Sequence, residues 1–247
     1  MRKRKCVFSR LCKYIIIWGF ICVCTYVVCD TECGVRLQNV NSSSIEQELS
    51  ELLEKNKEAK AFVDNYQNRV QYLGQDIDLS KDFSEGKVPL LMQWDMRWGY
   101  ENFGDSIIGL SGCGPTCLSM AYVYFTEDLG GNPREMADFC EENGYYTSSG
   151  TSWDLWTKGV EELGLSGREL SLDEKVMKKV LDNGSLIICS MRPGDFTTTG
   201  HYILIYGYDA DGFWVNDPNR KSNCEKGWSY NTLRGQIKNL WAVCTKL

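Results

Sequence analysis

Residues 200–218 read GHYILIYGYDADGFWVNDP, and this stretch decides how the second half of the chain folds. Its first part, residues 201–208, is apolar and aromatic, which favours a β-strand. Asp211-Gly212 is a dipeptide typical of hairpin turns, and residues 213–216 then supply the returning strand. The apolar run SLIICSM at 185–191 predicts another strand, and residues 240–245 can close the sheet. The second half is therefore predicted to be an antiparallel β-sheet.

The first half of the chain has a helical pattern instead. Four segments combine apolar residues at helical spacing with start or stop signals. They begin near Pro115, Asn132, Thr151 and Ser171. The clearest is Asn132-Pro133, a capping residue followed by proline at the first helical position, with Gly144 able to end the helix. Helices followed by an antiparallel sheet predict the α+β fold class in two packed parts.

The charge of the chain is unevenly distributed. The formal net charge is −6, but residues 1–13 carry six positive charges and no acid. Subtracting those six from −6 leaves −12 on the rest of the chain. An acidic body has little to neutralise phosphates, so we expect no nucleic-acid partner.

The basic start is followed by an apolar run, YIIIWGFICVCTYVVC, at residues 14–29. A basic flank before an apolar run is typical of an export signal, either cleaved or kept as a membrane anchor. Residues 1–30 are therefore predicted to be either a cleaved signal sequence or an uncleaved membrane anchor. The body is expected to be secreted or held on the outer face of the cell membrane by residues 14–29. Membrane contact is expected only through this segment.

Residues 31–87 are predicted to be a linker and an amphipathic helix that precede the main domain. Residues 31–42 are polar, and residues 43–73 have the apolar spacing of a surface helix or a stalk. Residues 74–87 are predicted to be a loop. The main domain then occupies residues 88–247.

Cys113 lies in the run GCGPTCLSM at 112–120, directly before Gly114-Pro115. Because proline can begin a helix, Cys113 is expected at a helix N-terminus, where backbone N–H groups and the helix dipole stabilise an anion. A thiol attacks a carbonyl as the thiolate, so this placement suits a nucleophile. The alternative is a buried structural cysteine or a disulfide partner.

His201 is the only histidine, so any Cys–His chemistry must use it, and sites that need several histidines are excluded. Asp217 follows the strand that returns across the hairpin from His201, at the same end of the sheet. A carboxylate there can orient the imidazole and stabilise its protonated form. The alternatives are a core histidine with satisfied hydrogen bonds and, for Asp217-Pro218-Asn219, an ordinary turn.

Four runs in this order, QWDMRWG (93–99), GCGPTCLSM (112–120), GDFTTTGHYILIYGYDADG (194–212) and VNDPN (215–219), resemble the C39-like papain-fold cysteine peptidases of bacteria. The resemblance covers residues 88–247. It implies a papain-like α+β fold, with Cys113 as the nucleophile, His201 as general base and acid, and Asp217 as the orienting residue. Gln93 resembles the glutamine whose amide joins the Cys113 N–H in the oxyanion hole. The alternative is that Gln93 is a surface residue beside Trp94 and Trp98.

The resemblance implies a peptidase that cuts peptide bonds through a Cys113 thioester, and the pattern of residues 1–30 adds the expectation that it is exported. Peptides or proteins are then the expected substrates, and no cofactor or metal is expected. A cell-wall amidase or an acyltransferase could use the same residues, and a non-catalytic surface binding module could share the fold. A free Cys113 thiol favours an enzyme, whereas a disulfide between Cys113 and Cys117 favours the binding module.

Overall fold

The structure is a computed structural model that describes residues 42–148 and 150–246. From Gln47 onward the chain forms one compact unit. The eight α-helices of the described residues are α1 Ser42–Lys55, α2 Lys60–Asp64, α3 Ile108–Ser111, α4 Cys113–Thr126, α5 Pro133–Glu142, α6 Lys158–Glu162, α7 Glu174–Asp182 and α8 Tyr230–Arg234. Short 3-10 helices cover Lys57–Ala59, Tyr66–Gln71, Trp153–Trp156 and Lys221–Cys224.

Nine strands form one large sheet and two small hairpins within the described residues. They are β1 Asn102–Phe103, β2 Ser106–Ile107, β3 Tyr146–Thr147, β4 Gly150–Thr151, β5 Leu165–Glu169, β6 Leu186–Met191, β7 His201–Asp209, β8 Gly212–Asn216 and β9 Ile237–Thr245. The large sheet is antiparallel, in the order β5-β9-β6-β7-β8. The α+β class predicted from the sequence, helices followed by an antiparallel sheet, is confirmed.

The two faces of the sheet bury different cores, because successive side chains of a strand point to opposite faces. Ile188 and Leu204 belong to the core that also contains the apolar side of α4. Ile187 and Ile205 belong to the other core, to which α7 contributes Met177. The sheet is therefore covered by helices on both faces. That arrangement explains why β6 reads as a continuous apolar run rather than as alternation.

The sheet contains one element that the sequence did not predict and one in an unexpected place. β5 pairs with β9 at the edge, although its sequence, Leu165–Glu169, carries a glycine and two charged residues. β9 does not close the sheet at an edge but lies between β5 and β6. The order of strands depends on which faces are buried in the folded chain. The sequence of a single strand therefore does not predict which strands lie next to it.

The helix predicted over residues 43–73 is wrong in its length. It ends at Lys55 because the Asn56 side chain accepts a hydrogen bond from the Glu58 N–H at 3.0 Å and starts a separate 3-10 turn. The chain that follows is not a stalk. Phe62 stacks on Tyr100 with ring centroids 4.4 Å apart, and both side chains are buried.

Two predicted helix starts are corrected by one or two residues. The 3-10 turn Trp153–Trp156 is capped by Ser152 rather than Thr151, and α7 is capped by Asp173 rather than Ser171. Each of the two capping side chains accepts from backbone N–H groups, as such oxygens do at a helix start. The predicted Asn132 cap is confirmed: its side chain accepts from the N–H groups of Arg134 and Glu135, with Pro133 at the first helical position.

Candidate active site

Cys113 is the first residue of α4, and its side chain is partly exposed. Its N-cap is Gly112, which has no side chain that could compete for the N–H groups at the helix start. The first turn of a helix presents N–H groups without intrahelical acceptors, together with the positive end of the helix dipole. The sulfur of Cys113 therefore lies where a negative charge is stabilised.

Gly114, the next residue, allows a second element to approach Cys113 closely. A Cβ atom at this position would lie 2.2 Å from Thr151 Oγ1, which is far inside van der Waals contact. Thr151 belongs to the small β3–β4 hairpin, and its carbonyl accepts a hydrogen bond from the Tyr202 hydroxyl at 3.0 Å. The glycine after Cys113 is thus required by packing against β4.

His201 is the first residue of β7 and is buried, with 8% of its surface exposed. Its Nε2 lies 2.7 Å from Asp217 Oδ1. With Nε2 held by the carboxylate, Nδ1 is the ring nitrogen left to face Cys113, which lies near enough to raise the pKa of His201. The structure therefore brings Cys113, His201 and Asp217 together in that order.

Asp217 directly follows the last residue of β8, and its side chain is fully buried. Oδ1 accepts from His201 and from the backbone N–H groups of Asn219 at 2.8 Å and Arg220 at 3.3 Å. Oδ2 accepts from Asn223 Nδ2 at 2.6 Å. A buried carboxylate with this many donors keeps its charge, because the donors replace the lost water.

The electrostatics of the pair follow from its burial and its contacts. Burial alone would lower the pKa of His201, but the Asp217 charge, its hydrogen bond and the contact with Cys113 raise it to about 10. Burial alone would raise the pKa of Asp217, but His201, Asn223 and the Asn219 N–H hold it below its ordinary value. Both shifts favour an imidazolium–carboxylate pair at neutral pH.

Gln93 is buried, with 4% of its surface exposed, so its interpretation as a surface residue is wrong. Its Nε2 donates to the Gly109 carbonyl at 3.0 Å, and its backbone N–H donates to the Pro218 carbonyl at 2.8 Å. The first bond fixes the orientation of the amide, because a flip would set Oε1 against another carbonyl oxygen. Oε1 has no hydrogen-bond partner.

One cleft of about 1160 Å³ connects these residues. Its lining includes Gln93, Cys113 and His201, and it is bordered by residues from α1, the β3–β4 hairpin and the loop before β7. That loop, residues 192–200, contributes Thr197, Thr198 and Thr199 to the lining. The cleft opens beside the partly exposed Cys113 and is lined by both polar and apolar side chains.

The six cysteines of the described residues all carry free thiols. Cys113 and Cys117 are therefore not joined, which removes the observation that would have favoured a binding module. Complete burial raises the pKa of Cys117, with further contributions from the nearby Cys113 and Asp217. A buried thiol of this kind is inert, so the two cysteines have different chemistry although they lie one helical turn apart.

Sequence reasoning missed Asn223, Thr151 and the segment at Asn56. Asn223 lies in a 3-10 turn six residues after Asp217, and its only sequence signal is a cluster of polar residues after a proline. The described residues contain no group of three or more His, Cys, Asp or Glu side chains placed to hold a metal ion. Among the same residues no helix is long and apolar enough to cross a bilayer, and the predicted export segment, residues 1–30, lies outside them.

The chain belongs to the Peptidase_C39 like family, whose family model matches residues 85–247. This membership confirms the resemblance stated above and, with the observed architecture, the papain-like α+β fold. No curated protein matches the sequence.

Three solved structures are similar to the chain. The peptidase domain of Streptococcus ComA, a bi-functional ABC transporter, has 18% identity and a TM-score of 0.43, with 55% of this chain and 93% of that one covered. A C39-like peptidase from Bacillus anthracis has 14% identity and a TM-score of 0.40, with 65% and 96% covered. A double glycine motif protease from an AMS/PCAT transporter, in complex with a leader peptide, has 13% identity and a TM-score of 0.38, with 69% and 97% covered.

Proposed function

We propose that this protein is a cysteine peptidase that hydrolyses peptide bonds through a Cys113 thioester. The observation that carries the proposal is that a partly exposed thiol at a helix N-terminus shares a cleft with His201, whose ring is bonded to the fully buried Asp217. Nucleophilic catalysis by a thiol needs a neighbouring base whose orientation is fixed by a third group. Family membership supports the same function.

The reaction begins from an ion pair in which the thiol proton of Cys113 already resides on His201 and Asp217 stabilises the imidazolium. The sulfur then attacks the peptide carbonyl carbon and forms a tetrahedral oxyanion. His201 gives its proton to the leaving amine as the C–N bond breaks, which leaves a thioester on Cys113. A water molecule then loses a proton to His201 and attacks the thioester, and release of the carboxylic acid restores the thiolate of Cys113 beside the imidazolium of His201.

Gln93 and the Cys113 backbone N–H are the proposed donors to the oxyanion. Gln93 Nε2 has two N–H groups, and one of them is bonded to the Gly109 carbonyl. The other is available to a substrate oxygen in the cleft that Gln93 and Cys113 share. Donors that are fixed before the reaction stabilise the developing charge without reorganisation.

The experiment that tests this function is hydrolysis of a mixed peptide library by the full chain, read by mass spectrometry. We expect cleavage by the wild type and by Cys117→Ala, and none by Cys113→Ala. Iodoacetamide should label Cys113 before the buried cysteines. Hydrolysis that survives Cys113→Ala would falsify the proposal. Adding muropeptides and acyl acceptors to the same assay separates peptide hydrolysis from cell-wall amidase and acyltransferase activity.

We further propose that the peptidase acts outside the cytoplasm. The support is the sequence of residues 1–29 alone, six positive charges followed by an apolar run. Fractionation of cells that produce the full chain, followed by N-terminal sequencing, tests this. A new N-terminus after the apolar run indicates secretion, an intact one in the membrane fraction indicates an anchor, and recovery only from the cytoplasm contradicts the proposal.

A further inference from the structure

The segment before the family-matched region is bonded to the loop that carries Asp217. The family model begins at residue 85, whereas the contacts come from residues 55–58. The loop in question, residues 217–222, is here called the carboxylate loop. The contacts span about 160 positions in sequence, so only the folded chain brings the two segments together.

Asn56 makes the first of these contacts and is buried, with 2% of its surface exposed. Its Nδ2 donates to the carbonyl of Asn219 at 2.5 Å. The same carbonyl accepts from the indole N–H of Trp94 at 2.7 Å. On the other side of that residue, the Asn219 N–H donates to Asp217 Oδ1. Asn56 thus fixes the residue whose N–H binds the carboxylate.

Glu58 makes the second contact, with both of its carboxylate oxygens. Oε2 accepts from the Lys221 N–H at 2.6 Å, and Oε1 accepts from the Ser222 N–H at 3.1 Å. These N–H groups begin the 3-10 turn Lys221–Cys224, which has no side-chain cap of its own. Glu58 therefore caps, from a distant part of the chain, the turn that holds Asn223 against Asp217. Hydrogen bonds to an ionised carboxylate are among the stronger ones in proteins.

In a third contact the carboxylate loop is again the donor. The Arg220 guanidinium donates from Nη2 to the carbonyl of Lys55, at the end of α1, at 2.5 Å. The Arg220 backbone N–H in turn donates to Asp217 Oδ1. Every residue of the carboxylate loop that donates a backbone hydrogen bond to Asp217 is therefore itself held by residues 55–58.

We propose that Asn56 and Glu58 are positioning residues for Asp217, and that they hold the carboxylate loop so that Asp217 keeps its bond to His201. This inference rests on the proposed function of Cys113 and His201. It places part of the active-site architecture outside the family-matched residues. Glu58 does not contact the reacting atoms, and its effect passes through Lys221 and Ser222.

The position of the carboxylate loop matters because the His201–Asp217 hydrogen bond, 2.7 Å long, forms only over a short range of distances. A carboxylate displaced by about 1 Å loses most of such a bond, and misplacements of that size cost about 100-fold in rate. A loosened loop therefore lowers kcat, since orientation of the imidazole is needed in the transition state. A loosened α1, which lines the cleft with Glu48, Glu51 and Leu52, raises KM instead.

The test compares Glu58→Ala, Glu58→Gln and Asn56→Ala with the control Glu54→Ala, an exposed glutamate on α1. We expect kcat for the peptide that the wild type cuts to fall about 10-fold or more in Glu58→Ala and Asn56→Ala, with a smaller change in KM. Glu58→Gln keeps one acceptor oxygen and similar size, so its kcat should be intermediate. Glu54→Ala should match the wild type.

A second measurement keeps the inference separate from the proposed function. His201 is the only histidine, so its imidazole signals in an NMR titration need no assignment. A displaced Asp217 lowers the pKa of His201 from about 10 in the wild type toward its ordinary value, whether or not the protein cuts peptides. We expect that fall in Glu58→Ala and Asn56→Ala and none in Glu54→Ala. An unchanged titration in folded Glu58→Gln and Asn56→Ala overturns the inference, whereas an inactive wild type overturns only the proposed function.

Discussion

The two ends of the candidate active site are built in opposite ways. Cys113 is partly exposed at the start of α4. Because both of its neighbours, Gly112 and Gly114, lack side chains, the backbone lies close to it. Asp217 is fully buried and accepts hydrogen bonds from four donors. A nucleophile must be reached by its substrate, whereas an orienting carboxylate acts most strongly where water is excluded. Accessibility is therefore concentrated at the Cys113 end of the site, and rigidity at the Asp217 end.

His201 joins the two ends, so removing it should have the largest effect. We expect His201→Ala to lower kcat/KM by at least about 1000-fold, because proton transfer and orientation are lost together. The variant should also unfold more easily, by about 3 kcal/mol, because a buried carboxylate loses its charged partner. Kinetics with the peptide substrate and urea unfolding measure both.

The double variant His201→Ala/Asp217→Asn is the control for that stability loss. An uncharged amide removes the unpaired charge, so the double variant should be more stable than His201→Ala and equally inactive. Equal stability of the two variants would contradict the importance given to the buried charge.

Gln93 tests the exposed end of the site. We expect Gln93→Ala to lower kcat by about 100-fold, because one oxyanion donor is lost, while KM changes little. Steady-state kinetics separate the two constants. A raised KM with unchanged kcat would assign Gln93 to substrate binding and remove it from the proposed oxyanion hole.

Asp217→Asn tests the charge at the buried end without removing the acceptor oxygen. Activity needs the protonated ring, so it is lost as the pH rises through the pKa of His201, about 10 in the wild type. Without the Asp217 charge that pKa falls, and the alkaline limb of the pH profile should move down by about 1–3 units. At pH 9 this lowers kcat about 10-fold, with little change at pH 6. An alkaline limb at the wild-type position would show that the charge does not act on His201.

Gly114→Ala should have the smallest effect on chemistry and act mainly through packing. The new Cβ would meet Thr151 Oγ1 at 2.2 Å, so we expect a loss of about 1–3 kcal/mol of stability. Thr151→Gly in the same chain should restore much of that loss, because it removes the clashing atoms. Urea unfolding of the single and double variants measures the coupling, and additive effects would contradict direct contact.

Several parts of the fold could be predicted because their causes are local. Asn132-Pro133 starts α5 as expected, since the cap and the proline act within one helical turn. The β7–β8 hairpin follows from the period and the turn residues around Asp211-Gly212. The pairing of His201 with Asp217 follows from that hairpin, because residues flanking a short turn return to the same end of the sheet. The catalytic roles of these residues stay predictions until variants are assayed.

Other features could not be predicted, because their causes lie far apart in sequence. The bonds that Asn56 and Glu58 make to the carboxylate loop join residues about 160 positions apart in sequence. The burial of Gln93 is tolerated because its side-chain Nε2 donates to the Gly109 carbonyl and its backbone N–H donates to the Pro218 carbonyl. Neither contact leaves a periodic or motif signal in its own segment.

The class of fold and the candidates for the reacting residues followed from the sequence alone. Hydrophobic period, turn dipeptides and helix caps are local, and a single histidine leaves one choice of base. The strand order, the burial of Gln93 and the hydrogen bonds between residues 55–58 and the carboxylate loop are seen only in the folded chain. The physical reason is that desolvation and long-range hydrogen bonds arise when the chain is packed, and no short stretch of sequence contains both partners.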